Sequence, residues 1–388
     1  MFVQLISFWG INPGAANLFY LYRMQQNKYL RYLNVPALFG TQRTKEILFV
    51  NPTAAPVRDE PEKVTITVYD YTADSIEERE LENVQQCYVY NNSGSTSWIN
   101  VDGLRKAETE AICAHFGVHP LVTEDILSVN QRPKMDEVEG LLFCLLNMLY
   151  YNEEKRTVET EQISIIVGNH FVLSFQEDAK RDVFDPLRTK LKTAKSQVRQ
   201  RGADYLLYVM LDMIVDNYYL IMEKLGDQVE LVEEEVAKNS NTQSLAGINQ
   251  LRKELIVLKR NIAPVRELVS GFIRSESDLL EDRTTKYFKD VYDHIVQAYE
   301  LTENYRDMMM SMQDLYINNV NLRMNEVMKV MAVVTCLMAP ATVIGGIFGM
   351  NFDRIPYLHN KYGFFIAVSI MLIIPVWMLG MFRRRGWF

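Results

Sequence analysis

Residues 330–350 read VMAVVTCLMAPATVIGGIFGM and contain no charged residue. Because a helix needs about 20 apolar residues to cross the hydrocarbon core of a bilayer, this stretch predicts a membrane-spanning helix. A second apolar stretch, residues 364–382, follows after a short connection at 351–363. A short connection favours antiparallel neighbours, so the C-terminal part of the chain is predicted to form a transmembrane hairpin.

Small and polar residues lie along one line through the first predicted span and the segment before it. The line comprises Asp314, Asn318, Asn321, Asn325, Met328, Ala332, Thr335, Ala339, Thr342, Gly346 and Gly349. Its steps alternate between four and three residues, the period that keeps one face of a helix towards its partners. We therefore expect this face to avoid lipid.

Two interpretations of the line are open from its spacing. Small residues let transmembrane helices approach closely, and Gly345 and Gly349 form a GxxxG pair. The amides and the carboxylate of Asp314 below the span do not fit a dry packing face, which would prefer leucine. Repeated around a symmetric ring, the line would form an amide-lined cation pathway with an acidic entrance.

The most specific motif is Gly349-Met350-Asn351 at the end of the first span. With residues 325–330 (NEVMKV) and 383–388 (RRRGWF), it makes the sequence resemble the CorA family of magnesium and cobalt transporters. The resemblance runs from about Pro61 to the end. Its further blocks, in chain order, are residues 130–134 (NQRPK), 183–186 (VFDP), 201–208 (RGADYLLY) and 290–294 (DVYDH).

The resemblance implies a homopentameric funnel whose outer mouth is formed by Gly349, Met350 and Asn351. It also implies a regulatory divalent-cation site in the cytosol, between Asp125 of one subunit and Asp290 of the stalk of the next. From the residues alone, Asp290 and His294 lie one helical turn apart, which suits metal ligands but also an ordinary solvated helix face.

Composition limits the other possibilities. The net charge of the 388 residues is −8, which argues against a nucleic-acid partner because phosphate binding requires a basic face. The four cysteines, Cys87, Cys113, Cys144 and Cys336, are far apart in sequence, so neither a zinc cluster nor a disulfide framework is indicated.

Four segments are predicted along the chain. Residues 1–60 form an extension of unassigned function, 61–201 a cytosolic α/β domain, 202–326 a helical stalk region, and 327–388 the transmembrane hairpin with its basic tail. Strands are predicted at 64–69, 96–101, 141–151, 162–167 and 171–176, and helices at 106–116, 120–128 and 181–201. Helices at 205–238 and 243–270 follow, with Pro264 interrupting the second, and residues 272–339 lack Gly and Pro, which predicts one long helix.

Basic residues predict the orientation of the hairpin. Arg383, Arg384 and Arg385 follow the second span, and Arg323 and Lys329 precede the first. By the positive-inside tendency, both chain ends lie in the cytoplasm of a multi-pass inner (plasma) membrane protein, and the Asn351 loop lies outside.

The residues suggest how Mg²⁺ could pass. Mg²⁺ dehydrates reluctantly, and the span offers amides and carbonyls rather than a carboxylate cage. Asn351 side chains and Gly349 carbonyls are expected to bind the hydrated ion, Thr342 and Gly346 to hydrogen-bond it, and Asn325 and Asp314 to receive it. Met328 and Met331 could close the conduit by dewetting. Mg²⁺ is the expected cargo and regulator, with Co²⁺ as a second candidate.

The chain departs from the family pattern at two places near the mouth. Phe348 stands where family members often have Tyr, and residues 355–358 (IPYL) replace Met-Pro-Glu-Leu. The external loop thus loses one acid at Tyr357 and keeps Asp353, so capture of ions from dilute solution is expected to be weaker.

Three alternatives stay open to different degrees. A Co²⁺, Ni²⁺ or Zn²⁺ carrier would favour imidazole or thiolate ligands, and the line contains neither, because Cys336 lies beside it. A membrane-anchored cation sensor that does not conduct would be separated by ion flux in liposomes. An enzyme is not expected, because the five histidines form no HExxH motif and the sequence has no Gly-rich phosphate loop.

Overall fold

The computed structural model describes residues 60–61, 63–92, 94–129, 131–178, 181–238, 240–351, 355–356 and 360–387. The predicted extension at 1–60, apart from Glu60, lies outside the described residues, as do Asn130, Asp353 and Tyr357. The described residues divide into two compact units, each considered by itself below. The first comprises residues up to Glu234 with Thr242–Met310, and the second comprises Glu235–Asn241 with the residues from Ser311 onwards.

Seven strands of the first unit form one mixed sheet. They are β1 (Thr65–Tyr71), β2 (Ile76–Leu81), β3 (Thr96–Asp102), β4 (Lys134–Val138), β5 (Leu141–Asn152), β6 (Thr157–Val167) and β7 (Phe171–Gln176). Their order is β2-β1-β3-β7-β6-β5-β4, and β3 and β7 are the parallel pair, while the other neighbours are antiparallel. The predicted α/β class is confirmed.

The described helices follow the predicted order. They are a 3-10 helix (Val84–Asn92), α1 (Lys106–His115), α2 (Pro120–Leu127), α3 (Asp185–Lys192), α4 (Ala203–Lys238), α5 (Thr242–Arg274), α6 (Asp282–Phe348) and α7 (Gly363–Arg384). α6 is a single helix of 67 residues, so the prediction of a long helix before and through the first span is confirmed.

The sheet lies between two layers of helices. Ile99 and Val101 of β3 face a core shared with the 3-10 helix, α1 and α2. On the opposite face, Tyr218 of α4 donates a hydrogen bond from its hydroxyl to the Asn147 carbonyl of β5, at 2.6 Å. The backbone N–H of Val158 donates to Glu254 Oε2 of α5 at 2.7 Å. Both faces of the sheet are therefore covered, as a sheet with a parallel central pair requires.

A buried chain of polar side chains crosses the parallel pair of strands. Trp98 Nε1 donates to Ser174 Oγ at 2.8 Å, and that hydroxyl donates to Asn100 Oδ1 at 2.6 Å. Asn100 Nδ2 in turn donates to Asp102 Oδ1 at 3.0 Å. Because Asn100 and Ser174 are paired in the register of β3 and β7, a one-residue slip would leave these buried groups without partners. The network therefore fixes the register.

Strand prediction succeeded where strands are buried and failed at the edges. The predicted turn at Gly168-Asn169-His170 is confirmed, because β6 and β7 are antiparallel and Gly168 N–H donates to the Phe171 carbonyl at 2.9 Å. β2 and β4 were missed. Both are edge strands, and charged residues interrupt their apolar pattern, as is common where an edge must resist pairing with another chain.

Two helix predictions were wrong. Pro264 does not interrupt α5, because the helix runs from Thr242 to Arg274 and buries Pro264 in its packed face. Packing there outweighs the cost of a proline inside a helix, about 3 kcal/mol. The helix predicted at 181–201 is limited to α3, which begins with Pro186 in its first turn and buries only Leu187 and Leu191.

The Gly- and Pro-free stretch also contains a break before α6. Ser275 Oγ accepts a hydrogen bond from Ser277 N–H at 3.2 Å, and Ser277 Oγ accepts one from Leu279 N–H at 3.5 Å. Serine side chains that bind nearby backbone N–H groups compete with the helix. Absence of Gly and Pro was therefore insufficient to predict continuity from residue 272.

Three of the described helices are long and apolar enough to cross a membrane, namely α4, α6 and α7. The apolar window of α4 is 67% buried within the protein, whereas those of α6 and α7 are 6% buried. α4 is therefore a core helix of the first unit, and the exposed apolar surfaces of α6 and α7 fit lipid or further protein subunits.

Glu161 on β6 provides a test of the packing through pH. Its carboxylate accepts hydrogen bonds from Glu177 N–H at 3.0 Å and Asp178 N–H at 2.8 Å, while Oε2 is buried without a partner among the described residues. Burial raises the pKa of Glu161 from 4.5 to about 7, although these two N–H groups oppose the rise. Stability should fall as pH rises from 4.5 to 7, because the unfolded chain releases this proton first.

We expect Glu161→Gln to remove this pH dependence while keeping an oxygen for the two N–H groups. The thermal midpoint of the full-length variant minus that of wild type should increase from pH 5 to pH 8. The increase corresponds to at most about 3 kcal/mol in the free energy of unfolding. Glu137→Gln on β4, where the carboxylate is exposed, is the control and should leave the dependence unchanged. A parallel pH profile for wild type and Glu161→Gln would contradict the assignment.

Candidate functional site

The predicted line of small and polar residues lies on an uncovered face of α6. The whole set is exposed in the single chain: Asp314, Asn318, Asn321, Asn325, Met328, Met331, Ala332, Thr335, Ala339, Thr342, Gly346 and Gly349. Apart from Met331, the members of this set in the apolar stretch of α6 are small residues that expose hydroxyls, methyls and backbone.

A different face of α6 is covered. Its buried and half-buried residues in the span are Val333, Leu337, Pro340, Ala341 and Ile344. They repeat at steps of about three and four, and successive helix residues differ by about 100°, so this stripe lies roughly 150° around the helix from the predicted line. The line is therefore turned away from whatever covers the stripe.

α7 lies beside α6 at Gly345, next to this stripe. A side chain placed at Gly345 would meet Met371 Cε of α7 at 3.8 Å, which is ordinary van der Waals contact. Met371 belongs to a half-buried stripe on α7, together with Ala367, Ile374, Pro375 and Met378. The two spans are thus in contact, and α7 leaves the polar face of α6 open.

Two threonines on the open face have their hydroxyl hydrogens engaged. Thr335 Oγ1 donates to the Met331 carbonyl at 2.9 Å, and Thr342 Oγ1 donates to the Met338 carbonyl at 3.0 Å. Each hydroxyl oxygen keeps its lone pairs, so it faces the open side as a hydrogen-bond acceptor. Acceptors suit the outward-pointing hydrogens of a hydrated cation.

The Gly349-Met350-Asn351 motif ends α6. Gly349 N–H donates to the Gly345 carbonyl at 2.9 Å, and Met350 N–H donates to the Ile347 carbonyl at 3.3 Å. A side chain at Gly349 would lie 3.1 Å from the Gly345 oxygen, so glycine keeps this last turn narrow. The last carbonyls of a helix lack helical partners and carry the negative end of its dipole, which attracts cations.

The exposed amides of the line lie before the span. Two other side chains of α6, Asn319 and Arg323, bond to residues at the C-terminal end of α4 and just after it. Asn319 Nδ2 donates to Ser240 Oγ at 2.9 Å and to the Val236 carbonyl at 3.3 Å. Arg323 Nη1 donates to the Ser240 carbonyl at 3.0 Å. These bonds satisfy carbonyls at the C-terminal end of α4 and leave Asn318, Asn321 and Asn325 exposed.

The two predicted regulatory aspartates are in different surroundings. Lys134 Nζ of β4 donates to Asp125 Oδ2 at 2.5 Å and lies 3.6 Å from Asp136 Oδ2. Partial burial lowers the pKa of Lys134, but the bond to Asp125 and its charge outweigh burial, so the pKa is raised and the ammonium stays charged. Asp290 is exposed on α6. Within the described part of the chain, no hydrogen bond or ion pair joins Asp125 to Asp290.

A carboxylate and imidazole cluster lies next to Asp290 in the first unit. One ligand atom each of Asp212 and Asp216 on α4 and of His294 on α6 lie within 4.8 Å of one another. Burial raises the pKa of Asp212, the charges of Asp216 and Asp290 add to the rise, and His294 opposes it. His294 Nδ1 is buried and has no hydrogen-bond partner among the described residues. Such a set of oxygen and nitrogen donors could bind a divalent cation.

Comparison with known proteins agrees with this arrangement. The model of the family described as CorA-like Mg²⁺ transporter protein matches residues 93–384. The chain is 36% identical, over 327 residues, to the cobalt/magnesium transport protein CorA of Thermotoga maritima, and the alignment covers 84% of this chain and 93% of that protein. The chain belongs to the CorA family.

Further members extend the match. The chain is 32% identical over 318 residues to the putative metal ion transporter YfjQ of Bacillus subtilis, covering 82% of this chain and 98% of that protein. It shares the fold of the solved CorA magnesium transporter of Methanocaldococcus jannaschii, with a TM-score of 0.71 at 24% identity, covering 84% of this chain and all of that one. These CorA relatives are transport proteins, so the expectation that the chain is not an enzyme is confirmed.

Sequence reasoning found the CorA resemblance but missed Asp212 and Asp216. Both pairs, Asp212 with Asp216 and Asp290 with His294, are four residues apart, so each pair shares one helix face. That spacing was the available signal. It did not show that the two faces meet, because the contact joins residues about 80 positions apart in the chain.

Proposed function

We propose that the chain assembles into a ring of identical subunits, five as the CorA resemblance implies, that conducts hydrated Mg²⁺ into the cytoplasm. Co²⁺ is the second candidate cargo. The observation that carries the proposal is the exposed line on α6, which faces away from the contact with α7. In a ring of such hairpins, α6 would line the pathway and α7 would face lipid.

The chemistry of the line favours a hydrated ion. Stripping Mg²⁺ of its water would require a dense set of carboxylates, because it dehydrates reluctantly. The line from Asn318 to Gly349 offers amides, hydroxyls and backbone instead. Thr335 and Thr342, whose hydrogens are bound to backbone carbonyls, offer acceptors to the waters around the ion.

The outer mouth adds a negative potential without a fixed negative charge. Each α6 ends at the motif with the negative end of its dipole, equivalent to about half an elementary charge. Five such ends would sum to roughly −2.5, enough to attract one dication. Gly349 carbonyls and Asn351 side chains would bind the hydrated ion there, with Met350 holding the shape of the motif.

In the inner part of the line, one group of residues would receive the ion and another would close the pathway. Asn318, Asn321 and Asn325 with Asp314 would receive the ion beyond the span. Met328 and Met331 lie between the amides and the threonines, and a ring of their apolar side chains would close the pathway by excluding water. Hydrogen bonding and gating would then depend on different residues.

Control is required, because the membrane potential drives a dication inward by about 4.6 kcal/mol at 100 mV. A cation bound by the carboxylates of the first unit would cancel their mutual repulsion and stabilise the closed state. Two ligand sets are available: Asp125 with Asp290 of the next subunit, and the cluster of Asp212, Asp216 and His294. When internal Mg²⁺ falls, repulsion returns and the closed state loses stability.

The first prediction concerns the mouth. Asn351→Ala should abolish Mg²⁺ uptake while leaving assembly intact, because it removes the amide that binds the hydrated ion at the end of α6. Uptake is measured in a host that lacks its own magnesium transport, and assembly by size-exclusion chromatography. Asn304→Ala, which alters an exposed amide of α6 in the first unit, is the matched control. Normal uptake by a correctly assembled Asn351→Ala protein would refute the role.

The second prediction concerns orientation. In a Cys336→Ala background, a cysteine at Asn360 should react with an impermeant reagent outside intact cells, because the basic residues hold the opposite end inside. A cysteine added after Phe388 should react only after lysis. The buried Cys87, Cys113 and Cys144 should stay silent in both cases. The reverse pattern of labelling would overturn the assignment of the mouth to the outside.

The third prediction concerns the sensor. Mg²⁺ should protect the wild-type protein from limited proteolysis, and a sensor variant should lose much of this protection. Asp125→Ala/Asp290→Ala and Asp212→Asn/Asp216→Asn test the two ligand sets separately. Asp227→Asn, an exposed aspartate further along α4, is the control. Equal protection of all four proteins by Mg²⁺ would show that neither set senses the ion.

A further inference from the structure

The C-terminal end of α7 carries three adjacent arginines. Arg383, Arg384 and Arg385 are exposed, and no carboxylate among the described residues forms an ion pair with them. Four other exposed arginines differ, since Arg79, Arg181, Arg283 and Arg306 each pair with a neighbouring acid. A basic side chain at the C-terminal end of a helix is stabilised by the helix dipole. One or two lysines or arginines anywhere in the last turn would satisfy that effect, so it does not explain where these arginines lie.

Two of these arginines continue the most exposed apolar face of α7. Arg383 is in helical line with Leu372 and Val376, and Arg384 is in line with Ile373 and Trp377. These four apolar side chains are between 65% and 74% exposed and lie away from the stripe that meets α6. An apolar strip that ends in guanidinium groups matches acyl chains followed by a phosphate.

The tail of the chain returns to the same end of the helix. Gly386 has φ of +70°, which favours glycine, and it lets Trp387 N–H donate to the Phe382 carbonyl at 3.1 Å. The Trp387 ring stacks on Phe382 with centroids 5.2 Å apart and stays 41% exposed. Tryptophan with one face packed and one face open is typical of the membrane–water interface.

The length of α7 puts these groups at that interface. Its 22 residues correspond to roughly 33 Å, close to the hydrocarbon thickness of about 30 Å. We propose that Arg383, Arg384 and Trp387 form a binding site for an anionic phospholipid, with the phosphate between the guanidinium groups and the acyl chains along Leu372 and Val376. A guanidinium forms paired hydrogen bonds with phosphate, which a lysine cannot reproduce. Free phosphate or an acidic peptide would leave the apolar strip unused.

Native mass spectrometry of the full-length protein in detergent tests the site, with phosphatidylglycerol as the anionic probe and phosphatidylcholine as the zwitterionic one. Wild type should bind phosphatidylglycerol at least about tenfold more tightly. Arg383→Gln/Arg384→Gln should weaken that binding by roughly 25-fold, about fivefold for each charge removed. Arg383→Lys/Arg384→Lys should retain most of the electrostatic part. Arg274→Gln/Lys286→Gln removes two exposed charges from the first unit and should change nothing.

Equal binding of phosphatidylglycerol by wild type and the glutamine pair would overturn the proposal, as would equal affinity for the two lipids. Displacement of the lipid by an equal concentration of inorganic phosphate would make the site an anion site rather than a lipid site, and would also overturn it. If the Arg383→Gln/Arg384→Gln variant cannot be purified from membranes, the wild-type protein alone tests the proposal. Its preference for phosphatidylglycerol must then fall as salt is raised from 0.05 to 0.5 M, because salt screens exposed charges.

Discussion

The constraint on which the membrane unit depends is the hydrogen bonding of α6 itself. Inside a bilayer the N–H and C=O groups of a helix bond to one another, so most of the backbone along the span is already hydrogen-bonded. Two places escape this constraint: side chains on an uncovered face, and the carbonyls at the helix end. In the proposed pathway both would contribute, through the small and hydroxyl residues along the line and the Gly349-Met350-Asn351 motif where α6 stops.

The same constraint explains why α7 is needed and why it is simple. One face of α6 must be covered for the opposite face to keep a fixed direction, and the stripe from Val333 to Ile344 supplies that contact. α7 carries exposed bulky apolar residues on one side and a half-buried stripe on another. In the proposed ring the exposed residues would face lipid. The end of α7 then differs from its body, because Arg383 and Arg384 must reach water or headgroups.

Sequence patterns were sufficient wherever one face of an element had to differ from another. The buried strands β5 to β7 and the apolar faces of α4 and α5 were predicted, because burial leaves its period in the chain. The missed features depend on contacts between distant segments. Pro264 is tolerated because α5 is packed on the sheet, and Asp212 meets His294 because two helix faces come together. Neither fact has a local pattern in the sequence, and β2 and β4 lacked one because edge strands expose charge.

Repulsion between carboxylates in the first unit is weaker around Asp125 than around Asp212, because Lys134 lies beside Asp125. Lys134 holds Asp125 at 2.5 Å, lies 3.6 Å from Asp136 and stays charged, so one ammonium partly neutralises two carboxylates before any metal binds. This ammonium weakens the repulsion of a further carboxylate, and a dication must displace or share it to bind there. Asp212, Asp216 and Asp290 have His294 and Lys190 as the near basic groups. Burial raises the pKa of Asp212, and the charges of Asp216 and Asp290 add to the rise. Electrostatic energy that a cation can release is therefore concentrated where α4 meets α6, and α6 is the helix that continues into the membrane span. Because binding can shift an equilibrium only by its differential energy between two states, the proposed control by Mg²⁺ would depend more on this cluster than on Asp125.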